Sequence, residues 1–407
     1  MANKNGYTAY VAGGFVRDLL LRISNTDIDI VIEGDGIDFA KKLAVRLNGH
    51  SKPHKKFKTA VVVMPDGYKI DVATARIEYY EHPAALPTVE MSAIRNDLYR
   101  RDFSINAMAI RLNGAKPYAL FDFFGGQADL KDHAIRVLHN LSFVEDPTRV
   151  FRAVRFEGRY GFTIGKQTLN LVKSAVDAQL FNRLSESRTF AELKLIFKER
   201  RPVRALLRLK ELGLLRFIHP ALALDKQSKE LMDNCEDLLA WHTLTFPAEN
   251  IEAWLLRFMA AIDRLKDEQI SQMAVTFLTS AKIINRIIED RKLEKIASET
   301  IYKKGPNVTS STLYEVFTPI GTERLLLTAA KDRDGVIKEA VTTFLTKLTD
   351  IKPMINGQDL INLGATPSPG MKNVLKQLLH AQIDLKITTR EEAEKMAKEL
   401  LLQGNLR

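Results

Sequence analysis

The apolar pattern changes character near residue 136, and that change limits the folds open to the chain. Before it, short β-prone runs alternate with short helical stretches. After it, strand signals fade and helical spacing dominates. Residues 7–12 read as a strand, broken by Gly13-Gly14 and followed by helical spacing over 15–22. Residues 27–32 alternate, with Asp27 and Asp29 on one face and Ile28 and Ile30 on the other. Residues 37–47 put Ala40, Leu43, Ala44 and Leu47 on one helical face. Residues 59–64 and 68–73, joined by Pro65-Asp66-Gly67, read as a hairpin with a three-residue turn. Residues 79–88 read as a loop, and 102–110 and 118–121 add further apolar segments.

Beyond that point, residues 150–160, 166–178, 187–198, 203–212, 251–265, 271–277, 280–296 and 336–348 read as helices. Gly305-Pro306 and Ile355-Asn356-Gly357 mark breaks, and Thr389 to Glu392 has capping-box spacing for a terminal helix. The reading is an α/β head followed by a long helical region, with no repeat and no low-complexity linker.

Composition bounds the function. The chain has 407 residues, enough for two to four domains at about 150 residues each. Hydrophobic residues make up 45% and charged residues 27%, a globular balance that excludes wholesale disorder. The net charge of +10 points to a polyanionic partner. The lone Cys235 excludes an internal disulfide and a cysteine-based zinc site. There is no HExxH, and His50 and His54, with Pro53 and lysines around them, read as a solvated loop. No uncharged apolar run of about 18 residues is present, so no membrane span is expected. The N-terminus lacks signal-peptide features, which makes the cytoplasm the expected compartment. The first strand begins almost at once, as it would in a fragment of a longer protein.

Five elements carry chemistry. Asp27 and Asp29 on one strand face have Cα atoms about 6.5–7 Å apart, a spacing that suits Mg²⁺ held together with phosphate oxygens, or a plain polar strand face. Gly13-Gly14, between a strand and a helix, lets backbone approach a phosphate, with Arg17 one turn on. Asp71, in the second hairpin strand, is either a third carboxylate or a surface residue. Arg100-Arg101-Asp102, with Asn106, can grip a triphosphate and a ribose hydroxyl, or form a charged helix start. Asp146 and Pro147 suit a helix start, and Arg149, Arg152 and Arg155 recur every three residues, as a basic stripe or a solvated face.

In this order the elements resemble the class II, bacterial-type tRNA nucleotidyltransferase and poly(A) polymerase family. The matching residues run Gly13-Gly14-Phe15-Val16-Arg17-Asp18, Asp27-x-Asp29, Asp71, Arg100-Arg101-Asp102-Phe103-x-Ile105-Asn106-Ala107, and Glu145-Asp146-x-x-Arg149-x-x-Arg152-Ala153-x-Arg155-Phe156. Ile355-Asn356-Gly357-x-Asp359-Leu360 is similar to the family's tail. The resemblance implies an α+β fold: a polymerase-β-like head with a mixed sheet (1–135), then an all-helical neck (136–200), body (201–300) and tail (301–407). It implies AMP addition, and CMP addition with it, to a tRNA 3′ end without a template, with pyrophosphate released. Asp27, Asp29 and Asp71 would be the catalytic, metal-holding carboxylates for two Mg²⁺ ions. Gly13, Gly14, Arg17, Arg101, Asp102, Asn106, Asp146, Arg149, Arg152 and Arg155 would bind the nucleotide, ATP or also CTP. The partner would be tRNA, held at its 3′ end and its acceptor and T stems by shape and backbone contacts.

Base choice follows from polarity. Cytosine and adenine present an exocyclic amine beside a ring acceptor, which match a carboxylate (Asp146) and a guanidinium (Arg149). Guanine and uracil present the reverse, leaving buried groups unpaired at about 1–3 kcal/mol each.

The sequence departs from the commoner CCA-adding pattern in three places. Ser187-Arg188 stands where many relatives have Glu-Arg, ahead of Glu192-Leu193. The loop over 76–99 is present but lacks an arginine-rich stretch. Phe143 to Arg149 is closer to the branch with A-adding members. AMP addition to tRNA ending in CC is therefore the leading expectation. Full CCA addition and poly(A) synthesis are alternatives, as is a non-catalytic basic RNA-binding protein with a retired head. CC-only addition is disfavoured, because that branch has lost the loop.

Overall fold

The computed structural model describes residues 1–277 and 281–402. The chain forms two compact units, Met1–Ala223 and Leu224–Arg407. It has the mixed-sheet head and extended helical region expected of a polymerase-β-like nucleotidyltransferase.

In the first unit, β1 (Thr8–Ala12) turns through Gly13 into α1 (Gly14–Leu20), and β2 (Ile28–Glu33) leads to α2 (Gly36–Arg46). Then come β3 (His50–His54), β4 (Thr59–Val63), β5 (Lys69–Thr74), β6 (Arg76–Tyr79), β7 (Thr88–Met91), α3 (Ile94–Tyr99), β8 (Met108–Arg111) and β9 (Leu120–Asp122). Seven strands form one sheet in the order β3-β4-β5-β2-β1-β8-β9. β2 and β5 run parallel, and their register sets Asp29 directly beside Asp71. The alternation over 27–32 is what aims the Asp27 and Asp29 side chains to one face, since a one-residue slip of β2 would turn them to the other. α2 covers the opposite face, packing Phe39, Ala40 and Ala44 against Ile32, Val62 and Val72.

The hairpin forms as expected. Met64 N–H donates to the Tyr68 carbonyl (2.8 Å), Gly67 takes φ +85°, and the Asp66 carboxylate accepts from Tyr68 N–H (2.9 Å). Two local readings are corrected. Residues 50–54, expected as a loop, form the edge strand β3, with Pro53 opposite Ala60. An edge strand tolerates proline because the missing N–H need not bond a neighbour. The loop over 79–88 springs from a small hairpin, β6 paired with β7, that periodicity did not reveal.

The unit continues with α4 (Gly126–Lys131), β10 (Ala134–Ile135), α5 (Ser142–Glu145), α6 (Thr148–Tyr160), β11 (Thr163–Ile164), α7 (Lys166–Asp177), α8 (Glu186–Lys198) and α9 (Pro202–Glu211). β10 and β11 make a short parallel pair past the point where strand signals fade.

The second unit is helical throughout its described residues. It contains α10 (Lys226–Thr245), α11 (Ala253–Ile262), α12 (Asp267–Thr276), α13 (Ala281–Lys304), α14 (Ser310–Phe317), α15 (Thr322–Lys331), α16 (Val336–Thr343), α17 (Gly357–Asn362), α18 (Gly370–Ile383) and α19 (Arg390–Leu402). Ser280, the expected start of one helix, lies outside the described residues. α10 was not expected. Its core face carries Ser228, Cys235 and His242 among Met232, Leu238 and Leu239, so polar side chains dilute the apolar stripe. The capping box before α19 is present: Glu392 N–H donates to Thr389 Oγ1 (3.2 Å), and the Glu392 carboxylate accepts from Thr389 N–H (3.2 Å). Among the described residues, no helix is long and apolar enough to cross a membrane.

Candidate active site

Three carboxylates converge at one edge of β2 and β5. Ligand oxygens of Asp27, Asp29 and Asp71 all lie within 4.8 Å of one another. Asp27 precedes β2 by one residue, anchored by its N–H bond to Asn25 Oδ1 (2.8 Å). Burial pushes the Asp29 carboxyl up to about 6; Arg101 opposes this, and Asp27 and Asp71 add to it. Asp71 is raised by burial and by Asp27. Like charges held this close repel, and a divalent cation bound among them removes the repulsion. The residues therefore fit Mg²⁺, a hard cation that takes carboxylate oxygens together with phosphate oxygens.

The resulting pH dependence has a definite sign. The ordinary value is 3.8 and the folded value about 6, so the metal-free folded chain binds this proton more tightly than the unfolded chain. Asp29's contribution to stability is full at low pH and is lost as pH rises through that window. Metal must displace the same proton. Apparent Mg²⁺ affinity, measured by calorimetry, is thus expected to climb from about pH 5 to about pH 7 and then level off. A flat profile would contradict this protonation scheme.

A polar cleft of about 780 Å³ opens beside the carboxylates, lined by Asp29 and Asp71 and by residues of α1, α6 and α8. Gly13, at φ +78°, makes the turn into α1, and a Cβ there would strike the Arg101 guanidinium. Glycine thus serves both the turn and the approach of Arg101. Arg17 is buried. It donates to Asp18 through Nε (2.8 Å) and Nη2 (2.9 Å), and to Asn106 Oδ1 (2.6 Å). One proton on each terminal nitrogen takes no hydrogen bond among the described residues. Asn106 in turn donates to Asp102 Oδ1 (2.9 Å), whose other oxygen accepts from Arg152 Nε (2.8 Å). Burial alone would raise Asp102, but Arg152 and Asn106 outweigh it and hold the carboxyl below its usual range. Phe103 and Ile105 sit in the core beneath this chain of bonds, which fixes its geometry.

α6 carries the basic stripe. A three-residue step turns about 60° short of a full helical turn, so the stripe rotates out of the cleft. Arg149 and Arg152 line the cleft, and Arg155 lies past it, bonded to Glu199 (3.2 Å) and lining a neighbouring groove. Arg149 and Arg155 are buried, so a solvated face does not form. Asp146 Oδ1 accepts from Thr148 N–H (3.0 Å) and Thr148 Oγ1 (2.6 Å), but the N-cap position of α6 falls on Pro147, one residue later than the sequence suggested. The Asp146 and Arg149 side chains do not pair. Asp146 pairs with Arg188 Nη2 (2.7 Å), whereas Arg149 donates to Ser142 Oγ (2.9 Å) and the Arg100 carbonyl (2.8 Å).

Sequence reasoning missed the groups that hold these side chains. Asp18 orients Arg17. Asp97, fully buried, bonds Arg100 (2.7 Å) and Arg101 (3.1 Å). Its position four residues before Arg101 on a helix was the available signal.

Known proteins match both the head and the helices beyond it. Residues 9–136 fit the model described as "Poly A polymerase head domain", and residues 161–226 fit "Probable RNA and SrmB-binding site of polymerase A". The A-adding tRNA nucleotidyltransferase of Halalkalibacterium halodurans is 33% identical over 98% of this chain and 90% of its own length. The chain belongs to the bacterial-type CCA/A-adding tRNA nucleotidyltransferase family. A second family member, the A-adding tRNA nucleotidyltransferase of Geobacter sulfurreducens, is 43% identical over 96% of this chain, which spans only 45% of that protein. Among solved structures of the family, the Thermotoga maritima CCA-adding enzyme complexed with tRNA-CCA superimposes with a TM-score of 0.72 at 33% identity, covering 98% of this chain and 93% of that one. A CCA-adding enzyme solved with ATP and again with CTP gives 0.74 in each case at 34% identity, covering 99% of this chain and 91% or 92% of the other.

Proposed function

We propose that this chain is a template-independent tRNA nucleotidyltransferase that builds or repairs the CCA end, taking ATP and CTP and releasing pyrophosphate. The carboxylate cluster of Asp27, Asp29 and Asp71 beside a polar, arginine-lined cleft carries the reading. A similar enzyme solved with either nucleotide supports one cleft serving both. AMP addition alone is the narrower reading, favoured by the names of the A-adding relatives.

In this reading Asp27, Asp29 and Asp71 hold Mg²⁺. A metal held there would lower the pKa of the attacking RNA hydroxyl and stabilise charge on the attacking and leaving oxygens. Asp71 would take the hydroxyl proton. Gly13 and Gly14 leave room for the phosphates, Arg17 and Arg101 grip them, and Asp102 and Asn106 meet the ribose while bracing Arg17 and Arg152. Asp146 and Arg149 read the base by matching its amine and its ring acceptor. Arg155 acts at one remove, from the neighbouring groove. We assign catalysis to a head over 1–135 and base reading to a neck over 136–200. A body over 201–300 and a tail over 301–407 would hold RNA.

The neighbouring groove fits an RNA backbone. Lys198, Arg200, Arg201 and Arg204 line it with Arg155 and Arg159, at the N-terminus of α9, which has no side-chain cap. The first four form no ion pair among the described residues, unlike Arg155 and Arg159. Replacing Arg200, Arg201 and Arg204 with alanine is expected to flatten the salt dependence of tRNA affinity by about 2–3 in log–log slope. KM for ATP should hold. An unchanged slope would place the RNA elsewhere.

The deciding experiment incubates the protein with tRNA transcripts ending before the first C, after CC and after CCA, each with CTP, ATP or both. Extension of all incomplete ends to CCA is expected. Extension of the CC end alone would leave AMP addition, runs of A would indicate poly(A) synthesis, and no product would remove the enzyme.

A further inference from the structure

The residues around His50 and His54, expected as a solvated loop, carry charge that the nucleotide chemistry leaves unused. As β3 they form one edge of the sheet that holds the carboxylates. Lys52 lies opposite Val61, Val61 opposite Asp71, and Asp71 opposite Asp29. Residues directly opposite share a face, so Lys52 stands on the face of Asp71, two strands away, or about 10 Å at the usual strand spacing. His50 and His54 alternate onto the same face, and Lys69 joins them two residues before Asp71 on β5. Lys55 and Lys56 follow in a single 3₁₀ turn, Lys55–Phe57. That turn is pinned, because the Phe57 carbonyl accepts from Arg76 Nη1 and the Lys58 carbonyl accepts from Thr74 N–H (3.0 Å). All six basic residues are exposed, and none forms an ion pair among the described residues.

Lysine and proline on an edge strand also discourage pairing with a second sheet. That purpose needs no particular face. Here Ser51 and Pro53 turn toward the core under α2, opposite Val62 and Ala60, and the ionisable side chains of β3 all take the carboxylate face.

The direction of the chemistry gives these charges a use. The groups assigned to the triphosphate come from the β1 and β8 side of β2: Gly13, Gly14 and Arg17 after β1, and Arg101 and Asn106 ahead of β8. In an in-line displacement the attacking oxygen enters opposite the leaving pyrophosphate. The RNA hydroxyl therefore enters from the β5 side, and the nucleotides before it lie over β4 and β3. On that face β4 offers Thr59, Val61 and Val63, half-buried and uncharged. The cleft reaches Thr59, whose partner on β3 is His54, so its floor continues onto the basic edge.

We propose that the face of β4 and β3 is a track for the 3′-terminal nucleotides of the RNA, with Lys52, Lys55 and Lys56 neutralising its last phosphates. This rests on the reading of the carboxylates as the centre of nucleotide addition to RNA.

The test uses tRNA ending in CC, made by ligating a synthetic 3′ end. The last two linkages are natural phosphates or uncharged methylphosphonates, with 2′-deoxy sugars ahead of them in both. Wild type is compared with a triple variant, Lys52→Gln, Lys55→Gln and Lys56→Gln, and with the triple Lys→Arg variant at the same positions. The glutamine variant should raise KM for the natural RNA about tenfold and flatten its log–log salt dependence by about 2, with KM for ATP held. Methylphosphonates should raise KM for wild type and the arginine variant about tenfold, but for the glutamine variant by about twofold or less, since the partners of those phosphates are already gone. The arginine variant keeps the charge and guards against a fold defect. A methylphosphonate penalty undiminished in the glutamine variant, or a KM for RNA that this variant leaves unchanged, overturns the proposal. Wild type that extends no natural RNA would instead remove the function on which it rests.

Discussion

Asp27→Asn together with Asp29→Asn is expected to lower nucleotide addition by about a thousandfold or more, with tRNA affinity little changed. Asparagine keeps the shape of each side chain and removes the charge that a divalent cation needs. The loss is at least that of an electrostatic group acting only on the transition state, about a hundred- to a thousandfold for one such group. Thermal melting separates chemistry from folding. The metal-free cluster is self-repelling, with Asp29 pushed up to about 6 by burial and by neighbouring carboxylates. Removing two of the three charges should therefore leave the melting temperature unchanged or raise it. A variant that melts normally and retains activity would contradict the carboxylate mechanism.

Asp146→Asn should invert part of the base preference. The amide oxygen should stay toward Thr148 and the Arg188 guanidinium, which require an acceptor. That orientation turns the amide nitrogen to the base. A donor then stands where the exocyclic amine of adenine or cytosine was accepted, and the carbonyl of guanine or uracil meets it instead. One bond lost and one gained, at about 1–3 kcal/mol each, shift the ratio of ATP to GTP use by about tenfold or more. Competitive extension with nucleotide pairs measures this, and an unchanged ratio would remove Asp146 from base reading. Arg149→Ala should likewise weaken ATP use and relax rejection of GTP and UTP. The alanine also leaves Ser142 and the Arg100 carbonyl without their donor, so that variant mixes selectivity with stability.

The carboxylate cluster was legible because it depends on short-range rules. Period-2 alternation faces Asp27 and Asp29 the same way, and a three-residue turn fixes where Asp71 falls in the next strand. The adjacency of Asp29 and Asp71 required only that β2 and β5 be neighbours in the sheet. What stayed hidden was long-range pairing. Nothing near Asp146 in the sequence announces Arg188, forty-two residues on. The rotation of the arginine stripe was readable from the helical repeat. Which arginine leaves the cleft depended on where Glu192 and Glu199 of α8 and its end come to rest. β3 was misread because Pro53 suggests a loop until the strand is known to lie at an edge.

The central claim is that Asp27, Asp29 and Asp71 clasp divalent cations beside a nucleoside triphosphate. Anomalous diffraction from crystals grown with Mn²⁺ and a non-hydrolysable ATP analogue addresses it directly. The account predicts anomalous peaks at direct ligand distance from oxygens of all three carboxylates and of the triphosphate. A triphosphate bound in the cleft with its cation ligated away from these residues would contradict it.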